Sequence, residues 1–264
     1  MIHRYRLENG RTYHAYRDGS YHYPNDAREQ ERLNWQYDVL HDVMGRRLYF
    51  APWSRKKWPR KVLDIATGTG KWAIEFADEF PESQVIGTEL SPIQPDEYSP
   101  NVEFHIDDST YNWQDGPFDY VHTRMTLGCW ENMQMSILQQ AFDNLRPGGW
   151  CESQEMVPIP DCDDGTMPPD FSFLQWATEL DYASLQANRP ISDGQYLKRW
   201  YTEVGFVDVH EEILKVPLNG WPSDRRNKEI GMRWLCNLQD GLSGFTLGLH
   251  HRVYGRTQEE IEVR

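Results

Sequence analysis

The sequence predicts an α/β fold in which a mostly parallel, twisted sheet carries helices on both faces. From residue 61 onward, short apolar segments alternate with segments of helical periodicity, which is typical of parallel strands joined by right-handed crossovers. The first apolar segment, residues 61–65, ends in a small-residue loop with Gly68 and Gly70, after which a helix begins. Such a loop aims helix N-terminal N–H groups at a ligand.

Composition argues against several classes of protein. The formal net charge is −14, whereas nucleic-acid binding requires a basic surface. No run of 18 apolar residues occurs, so we expect no membrane-spanning helix, and the N-terminus lacks the apolar stretch of a secretory signal. Four widely separated cysteines are interpreted as free thiols in a reducing compartment, with no metal bound. They are Cys129, Cys151, Cys162 and Cys236.

One segment is strongly basic although the chain as a whole has a negative net charge. Residues 55–61 contain five basic side chains in seven positions. They are interpreted either as a solvated approach to the first strand or as a patch for nuclear import or an acidic partner. We therefore expect a cytoplasmic location, with a nuclear one as the alternative.

The chain begins with a polar segment, residues 1–23, for which we expect an irregular arm. Asp26 and Glu29 resemble a capping box, which marks the start of a helix. Apolar residues then recur at helical spacing from Leu33 onward, so an amphipathic helix is predicted over about 26–44.

We divide the chain into an N-terminal arm with a lid helix, residues 1–50, and a main domain, residues 51–264. The helix either packs against the main domain or covers a ligand site, in which case Tyr21 or Tyr23 supplies a contact. An insertion at 157–190 interrupts the alternation at the carboxyl edge of the sheet, where ligands bind. We interpret it as a substrate cover.

The remaining elements follow from periodicity and from breaking residues. Strands are predicted at 61–65, 84–89, 102–106, 118–123, 150–155 and 206–216. Helices are predicted at 71–80, 131–145, 170–187 and 193–204, and within the last fifty residues. Three prolines make the crossover at 91–100 mostly loop.

Three ligands use glycine-rich turns of this kind, and two fit poorly. A P-loop needs a glycine where Ile65 stands and a hydroxyl where Trp72 stands, so it is rejected.

A dinucleotide site needs G-x-G-x-x-G/A, which Gly68 to Ala73 formally match, and Glu89 follows at the required distance. Against it, Asp64 would place a carboxylate beside the pyrophosphate and repel it.

S-adenosylmethionine fits the acids better. Its ammonium and sulfonium groups would attract Asp64, and its ribose hydroxyls could donate to Glu89. Its adenine amine could donate to Asp107 or Asp108 at the end of the third strand. Acids at the ends of three successive strands therefore predict one crevice for this cofactor.

These residues resemble the class I S-adenosylmethionine-dependent methyltransferases, with alanine at Ala66 where glycine is usual. The stretches that carry the resemblance are 62–70, Glu89, 104–108, 118–124 and 145–150. More narrowly, the chain is similar to the fungal LaeA-type methyltransferases of secondary metabolism. That similarity rests on 18–26, 29–33 and 87–95 and spans about residues 15–260.

The resemblance implies a Rossmann-like class I methyltransferase fold over residues 51–264, whose last, antiparallel strand is expected to be absent here. It also implies S-adenosyl-L-methionine as cofactor and S-adenosyl-L-homocysteine as product, with no metal. The expected cofactor-binding residues are Tyr23, Asp64, Ala66, Thr67, Gly68, Gly70, Glu89, Leu90, Asp107, Asp108, Ser109, Thr123 and Arg124.

The implied reaction is in-line methyl transfer to a small, secondary-metabolite-like molecule or to a protein. No catalytic residue is assigned; His122, Glu152 and Glu155 are candidate bases if the acceptor is an oxygen. Two alternatives remain open: a cofactor-binding regulatory subunit in a protein complex, and an NAD-type oxidoreductase. A small-molecule substrate is expected, a protein partner is possible, and neither nucleic acid nor membrane is expected.

Overall fold

The computed structural model describes residues 5–262, and a five-stranded parallel sheet organises them. The chain starts with a hairpin and one helix: β1 (Arg6–Glu8), β2 (Arg11–Tyr13) and α1 (Ala27–Val43). The sheet and its first crossovers are β3 (Lys61–Ile65), α2 (Lys71–Glu79), β4 (Gln84–Glu89), β5 (Val102–Ile106), β6 (Phe118–Arg124), α3 (Gln139–Asn144) and β7 (Leu145–Gln154). The later helices are α4 (Ser172–Gln186), α5 (Leu197–Val204), α6 (Arg225–Tyr254) and α7 (Gln258–Glu262).

The strands lie in the order β5-β4-β3-β6-β7 and are all parallel. The order reverses between β3 and β6, which is where open α/β sheets bind ligands, at the carboxyl ends of the strands. Register places Asp64 of β3 directly between Gly87 of β4 and His122 of β6. The predicted parallel sheet is confirmed, and its register brings the predicted site residues to one edge.

Both faces of the sheet are covered, as the apolar run in β3 requires. Val62 packs on one face with Trp72 and Phe76 of α2. Its neighbour Leu63 packs on the other face with Ile137 and Tyr201. Successive side chains of a strand point to opposite faces, so the sheet carries a helical layer on each side.

The N-terminal arm is more regular than predicted. Residues 1–4 lie outside the described part, but β1 and β2 form an antiparallel hairpin where an irregular arm was expected. The predicted helix is confirmed as α1, because Asp26 accepts a hydrogen bond from the Glu29 N–H at 3.0 Å and caps it.

The predicted helical C-terminal region is confirmed chiefly as α6, a thirty-residue helix that packs along α1. The contact combines an apolar cluster, in which Val39 of α1 packs with Trp234 of α6, with a buried polar network. Arg32 of α1 donates to Glu29 at 2.6 Å and to Asn237 of α6 at 3.1 Å. Because a buried charge needs partners, this network fixes how the two helices sit together.

The predicted strand at 206–216 is wrong. In the described residues this segment forms no ladder, and the sheet ends at β7. Phe206 and Val209 pack on the core, whereas Val207 is 84% and Ile213 81% exposed. An extended apolar segment becomes a strand only when another strand satisfies its backbone, and within residues 5–262 no strand pairs with this one.

Asp193 gives the fold a measurable pH dependence. Burial, together with nearby Glu155 and Asp181, raises the pKa of this half-buried carboxyl to about 6. The folded state therefore gains stability as pH falls through that value and loses it as pH rises. We expect Asp193→Asn to raise the free energy of unfolding at pH 7.5 by about 1 kcal/mol, after allowance for partial exposure.

Urea denaturation at pH 7.5 and 4.5 measures this effect. Asp170→Asn, at an exposed position, is the control and should change nothing. If Asp193→Asn gave the same stability difference from the native sequence at both pH values, the carboxyl would not carry the raised pKa.

Candidate active site

A cavity of about 390 Å³ opens at the carboxyl ends of β3, β4, β5 and β6. The arm and α1 form its opposite wall. All but two of the predicted cofactor-binding residues line it: Tyr23, Asp64, Ala66, Thr67, Gly68, Glu89, Leu90, Asp107, Asp108, Ser109 and Arg124. The sequence pattern therefore predicted residues that the fold brings together from the arm and four strands.

Gly70 and Thr123 do not line the cavity and instead support its wall. Thr123 is fully buried, and its hydroxyl donates to Glu155 at 2.9 Å. Gly70 begins α2 with φ +77°, and a Cβ there would lie 2.4 Å from Cζ of Phe104. The glycine is required by its backbone angle and by close packing under the loop.

The packing role of Gly70 can be tested by comparison with Gly68 in the same loop. We expect Gly70→Ala to lower the free energy of unfolding by about 2–3 kcal/mol, from overpacking against Phe104 plus left-handed backbone strain. Gly68→Ala is the matched control, because φ is +60° but nothing lies within 4 Å of the added Cβ. It should cost about 1 kcal/mol, from backbone strain alone. Chemical denaturation of both variants measures the difference, and equal losses would contradict the packing role.

Asp64 lines the cavity, and both of its carboxylate oxygens accept hydrogen bonds from side chains of the protein. Oδ1 lies 2.7 Å from Nδ1 of His122, and Oδ2 accepts from the Thr67 hydroxyl at 2.5 Å. A carboxylate oxygen has more than one lone pair, so Asp64 can still accept from a ligand in the cavity.

Glu89 is held by the glycine loop and by the turn after β4. It accepts from the backbone N–H of Gly68 at 3.1 Å, of Leu90 at 2.8 Å and of Ser91 at 3.2 Å. Burial raises the pKa of this carboxyl, and the three N–H groups oppose that rise. The side chain is therefore fixed in orientation between the loop and the cavity.

The two acids after β5 differ in their surroundings. Asp108 accepts from the Thr110 hydroxyl at 2.7 Å with one oxygen, and its other oxygen lies 3.6 Å from Nε of Arg17. Only Oδ1 of Asp107 is hydrogen bonded within the described residues, to the Asp108 N–H at 2.8 Å. Asp107 is thus the more available acceptor.

Arg17 is a contact that sequence reasoning missed. Its guanidinium lies over the Tyr111 ring at 4.3 Å as well as beside Asp108, so the arm reaches across the β5 end of the cavity. No local signal marks it, since Arg17 is one of several basic residues in a polar arm.

The far wall of the cavity is aromatic. Tyr21 and Tyr23 meet edge to face with ring centroids 5.1 Å apart, and Tyr23 meets Phe245 of α6 at 5.7 Å. Burial raises the pKa of both tyrosines above their usual range, which already keeps a tyrosine hydroxyl protonated at neutral pH. Cys129, which the sequence analysis did not assign to the site, also lines the cavity.

Arg124 presents an unsatisfied donor. Its Nε donates to Gln154 at 2.6 Å and its Nη2 to the Leu48 carbonyl at 3.1 Å. Nη1 is buried without a hydrogen-bond partner within residues 5–262. The side chain lines the same cavity as Asp64, and its guanidinium carbon lies 4.9 Å from the Tyr37 ring centroid, so Arg124 places a positive charge at the cavity wall.

None of the three candidate bases lines the cavity. His122 lies behind Asp64 and is fully buried. Glu152 binds the Phe50 and Ala51 N–H groups instead, and Glu155 binds Thr126. The sequence placed these residues near the strand ends but did not indicate whether their side chains point into the cavity.

The remaining walls and surfaces add three findings. From the insertion at 157–190, Arg189 alone lines the cavity, while α4 packs against α6. No helix among residues 5–262 is long and apolar enough to span a bilayer. Within the same residues, no group of three or more His, Cys, Asp and Glu side chains is placed to hold a metal ion.

Comparison with known proteins gives consistent matches. A family model described as a methyltransferase domain matches residues 24–211. Methyltransferase pytC of Aspergillus terreus (strain NIH 2624 / FGSC A1156) is 37% identical over 99% of this chain and 81% of its own length. The secondary metabolism regulator LAE1 of Cochliobolus heterostrophus is 34% identical over 94% of this chain and 82% of its own.

A third relative carries a more specific description. Protein-methionine methyltransferase laeA of Emericella nidulans is 32% identical over 97% of this chain and 68% of its own length. The family match spans most of the chain, including the glycine loop and the acids after β4 and β5. It decides for a methyltransferase over the oxidoreductase alternative. The chain belongs to the S-adenosylmethionine-dependent methyltransferases of the LaeA and pytC type.

Proposed function

We propose that this methyltransferase acts on a small, secondary-metabolite-like molecule that binds inside the cavity. The supporting observation is that one continuous cavity joins the acids of the strand ends to the tyrosines of the arm. Residues of the arm and α1 line one side of it, so an acceptor would bind in a concave space beside the strand ends. Concave, partly aromatic cavities of this size are typical of small-molecule sites.

The cofactor would lie across the strand ends. Asp64 would accept from its ammonium group, and the guanidinium of Arg124 would attract its carboxylate, so the amino-acid end meets opposite charges. Glu89 would accept from the ribose hydroxyls and Asp107 from the adenine amine. Each of these four residues lines the cavity.

The acceptor would occupy the space under the arm. The ring faces of Tyr21 and Tyr23 suit a planar molecule, and their protonated hydroxyls can donate hydrogen bonds to it. Leu33 and Leu40 of α1 add apolar surface to the same wall.

Methyl transfer would proceed by in-line displacement. The bond from sulfur to the methyl carbon breaks as the acceptor atom forms its bond, and S-adenosylhomocysteine leaves with the sulfur electron pair. The protein aligns the two molecules and excludes water. Because none of the candidate bases lines the cavity, the proposal favours an acceptor atom that is already nucleophilic at neutral pH.

Incubation with S-adenosylmethionine labelled at the methyl group tests this proposal. A fungal metabolite extract and a protein fraction are offered separately, and the label is followed by chromatography. Label in a small molecule is expected, and it should be lost in Asp64→Ala. Transfer into the protein fraction alone would contradict a small-molecule acceptor.

A second candidate is a protein acceptor or a regulatory complex. Large apolar side chains are exposed at Val207, Ile213 and Trp221, in the segment between α5 and α6, and such surface often marks a partner site. The names of LAE1 and laeA, a regulator and a protein-methionine methyltransferase, point the same way. The basic segment 55–61 is largely exposed and would suit nuclear import.

Affinity purification from a fungal host separates these roles. A regulatory subunit would keep its partners and its phenotype when Asp64→Ala weakens cofactor binding. Fluorescence microscopy of the same fusion, with and without alanines at Arg55, Lys56 and Lys57, would report whether the basic segment directs the protein to the nucleus.

A further inference from the structure

We propose that His122 is a positioning residue that holds the Asp64 carboxylate ready for the amino-acid end of the cofactor. The inference rests on the proposed role of Asp64 and concerns a residue that touches neither cofactor nor acceptor. The observation that supports the proposal is a buried pair of side chains that strand register brings together. Asp64 and His122 stand directly opposite each other on β3 and β6.

The hydrogen bond between them has one direction. A carboxylate can only accept, so Nδ1 of His122 carries the hydrogen and donates to Oδ1 of Asp64 across 2.7 Å. The imidazole is fully buried, and its Nε2 has no hydrogen-bond partner within the described residues. Asp64 is therefore the one polar contact of the ring in that part of the chain.

The ring cannot turn away from this contact. It stacks on Trp72 with centroids 3.6 Å apart and planes 7° apart, and the indole is itself fixed by donating to the Leu48 carbonyl at 2.8 Å. The imidazole is thus clamped between strand and helix. A rigid donor on one oxygen and the Thr67 hydroxyl on the other fix both the rotation and the depth of the Asp64 carboxylate.

This arrangement explains a buried histidine that neither lines the cavity nor completes an apolar core. Burying an imidazole costs free energy when one of its nitrogens lacks a hydrogen-bond partner, as Nε2 does within the described residues, so packing alone is a weak reason for a histidine here. The histidine instead orients an acid at the cavity wall. Orientation matters there, since a charged hydrogen bond to an ammonium group depends on distance and angle.

Two variants separate the donor from the ring. His122→Phe keeps an aromatic ring against Trp72 but removes the donor, and His122→Asn keeps an N–H close to the position of Nδ1 while removing the ring. Both are titrated calorimetrically with S-adenosylhomocysteine and with 5′-methylthioadenosine, which lacks the amino-acid end.

We expect His122→Phe to weaken S-adenosylhomocysteine binding about tenfold and to leave methylthioadenosine binding within about twofold. His122→Asn should restore most of the lost affinity. Equal weakening of both ligands, or a loss in His122→Asn as large as in His122→Phe, would show a merely structural histidine and overturn the proposal. If His122→Phe does not fold, His122→Gln replaces it, because its longer amide cannot place a donor at the Nδ1 position.

Asp64→Asn, measured in parallel, separates the proposed role of Asp64 in cofactor binding from the proposed role of His122 in positioning Asp64. If it leaves the preference for S-adenosylhomocysteine over methylthioadenosine unchanged, the proposed cofactor placement fails. If Asp64→Asn abolishes the preference while His122→Phe preserves it, the placement stands and the positioning role of His122 is refuted.

Discussion

Asp64→Ala is expected to weaken S-adenosylhomocysteine binding by about 1–3 kcal/mol, through loss of a charged hydrogen bond. The substitution also leaves the buried Nδ1–H of His122 and the hydroxyl of Thr67 without their acceptor. Because buried donors without partners destabilise the fold, stability should fall together with affinity. Calorimetric titration gives the first quantity and urea denaturation the second.

The matched control, Asp143→Ala, removes the same charge from a residue that does not line the cavity. Asp143 is exposed on α3 and bonds only to Gln139 of the same helix in the described structure, at 3.1 Å. Asp143→Ala should leave both measurements unchanged. Unaltered affinity in a folded Asp64→Ala protein would refute the assignment of this acid to the cofactor, and the same comparison applies to Glu89→Ala.

Glu152→Ala is expected to lower the free energy of unfolding by about 2–3 kcal/mol while the folded protein keeps its methyl-transfer activity. The carboxylate accepts from the Phe50 and Ala51 N–H groups, both at 2.9 Å, and from the Tyr120 hydroxyl at 2.8 Å. It therefore ties the segment after α1 to the sheet. Removing the carboxylate leaves several hydrogen-bond donors without an acceptor at once.

Activity at a temperature well below the unfolding midpoint distinguishes this anchoring role from general-base chemistry. Glu152→Gln keeps one acceptor oxygen and should lose less stability than the alanine variant. A stable Glu152→Ala protein with a large loss in kcat would restore Glu152 as a base and contradict the contacts seen here.

Much of the sheet could be predicted from the sequence, because strand signals are local. The run from Lys61 to Ile65 is bounded by a glycine loop, and the observed strand has those limits. The predicted strand at 206–216 was wrong because the pairing of strands is not a local property. Its apolar, β-branched residues satisfy the local pattern, but a strand also needs a neighbour, which local pattern does not reveal.

The arm illustrates the same limit. Residues 6–13 carry no strong alternation, yet they form a hairpin whose far end is held by α6. Arg252 donates to Glu8 at 3.0 Å and to the Tyr21 carbonyl at 3.1 Å, which fixes the tyrosines over the cavity. A contact between residues more than two hundred positions apart leaves no periodic signal.

For the site, the sequence by itself determined the fold class and favoured S-adenosylmethionine over a dinucleotide as the ligand of the glycine loop. A strand, an acid and a glycine loop are contiguous, so their chemistry can be read locally at Asp64 and Gly68. Only the tertiary structure decided which acids remain available to a ligand. Asp64 meets His122 across 58 positions, and Glu152 meets Phe50 across 102. Strand register and chain path create those pairs, and they assign the first acid to the cavity and the second to the scaffold.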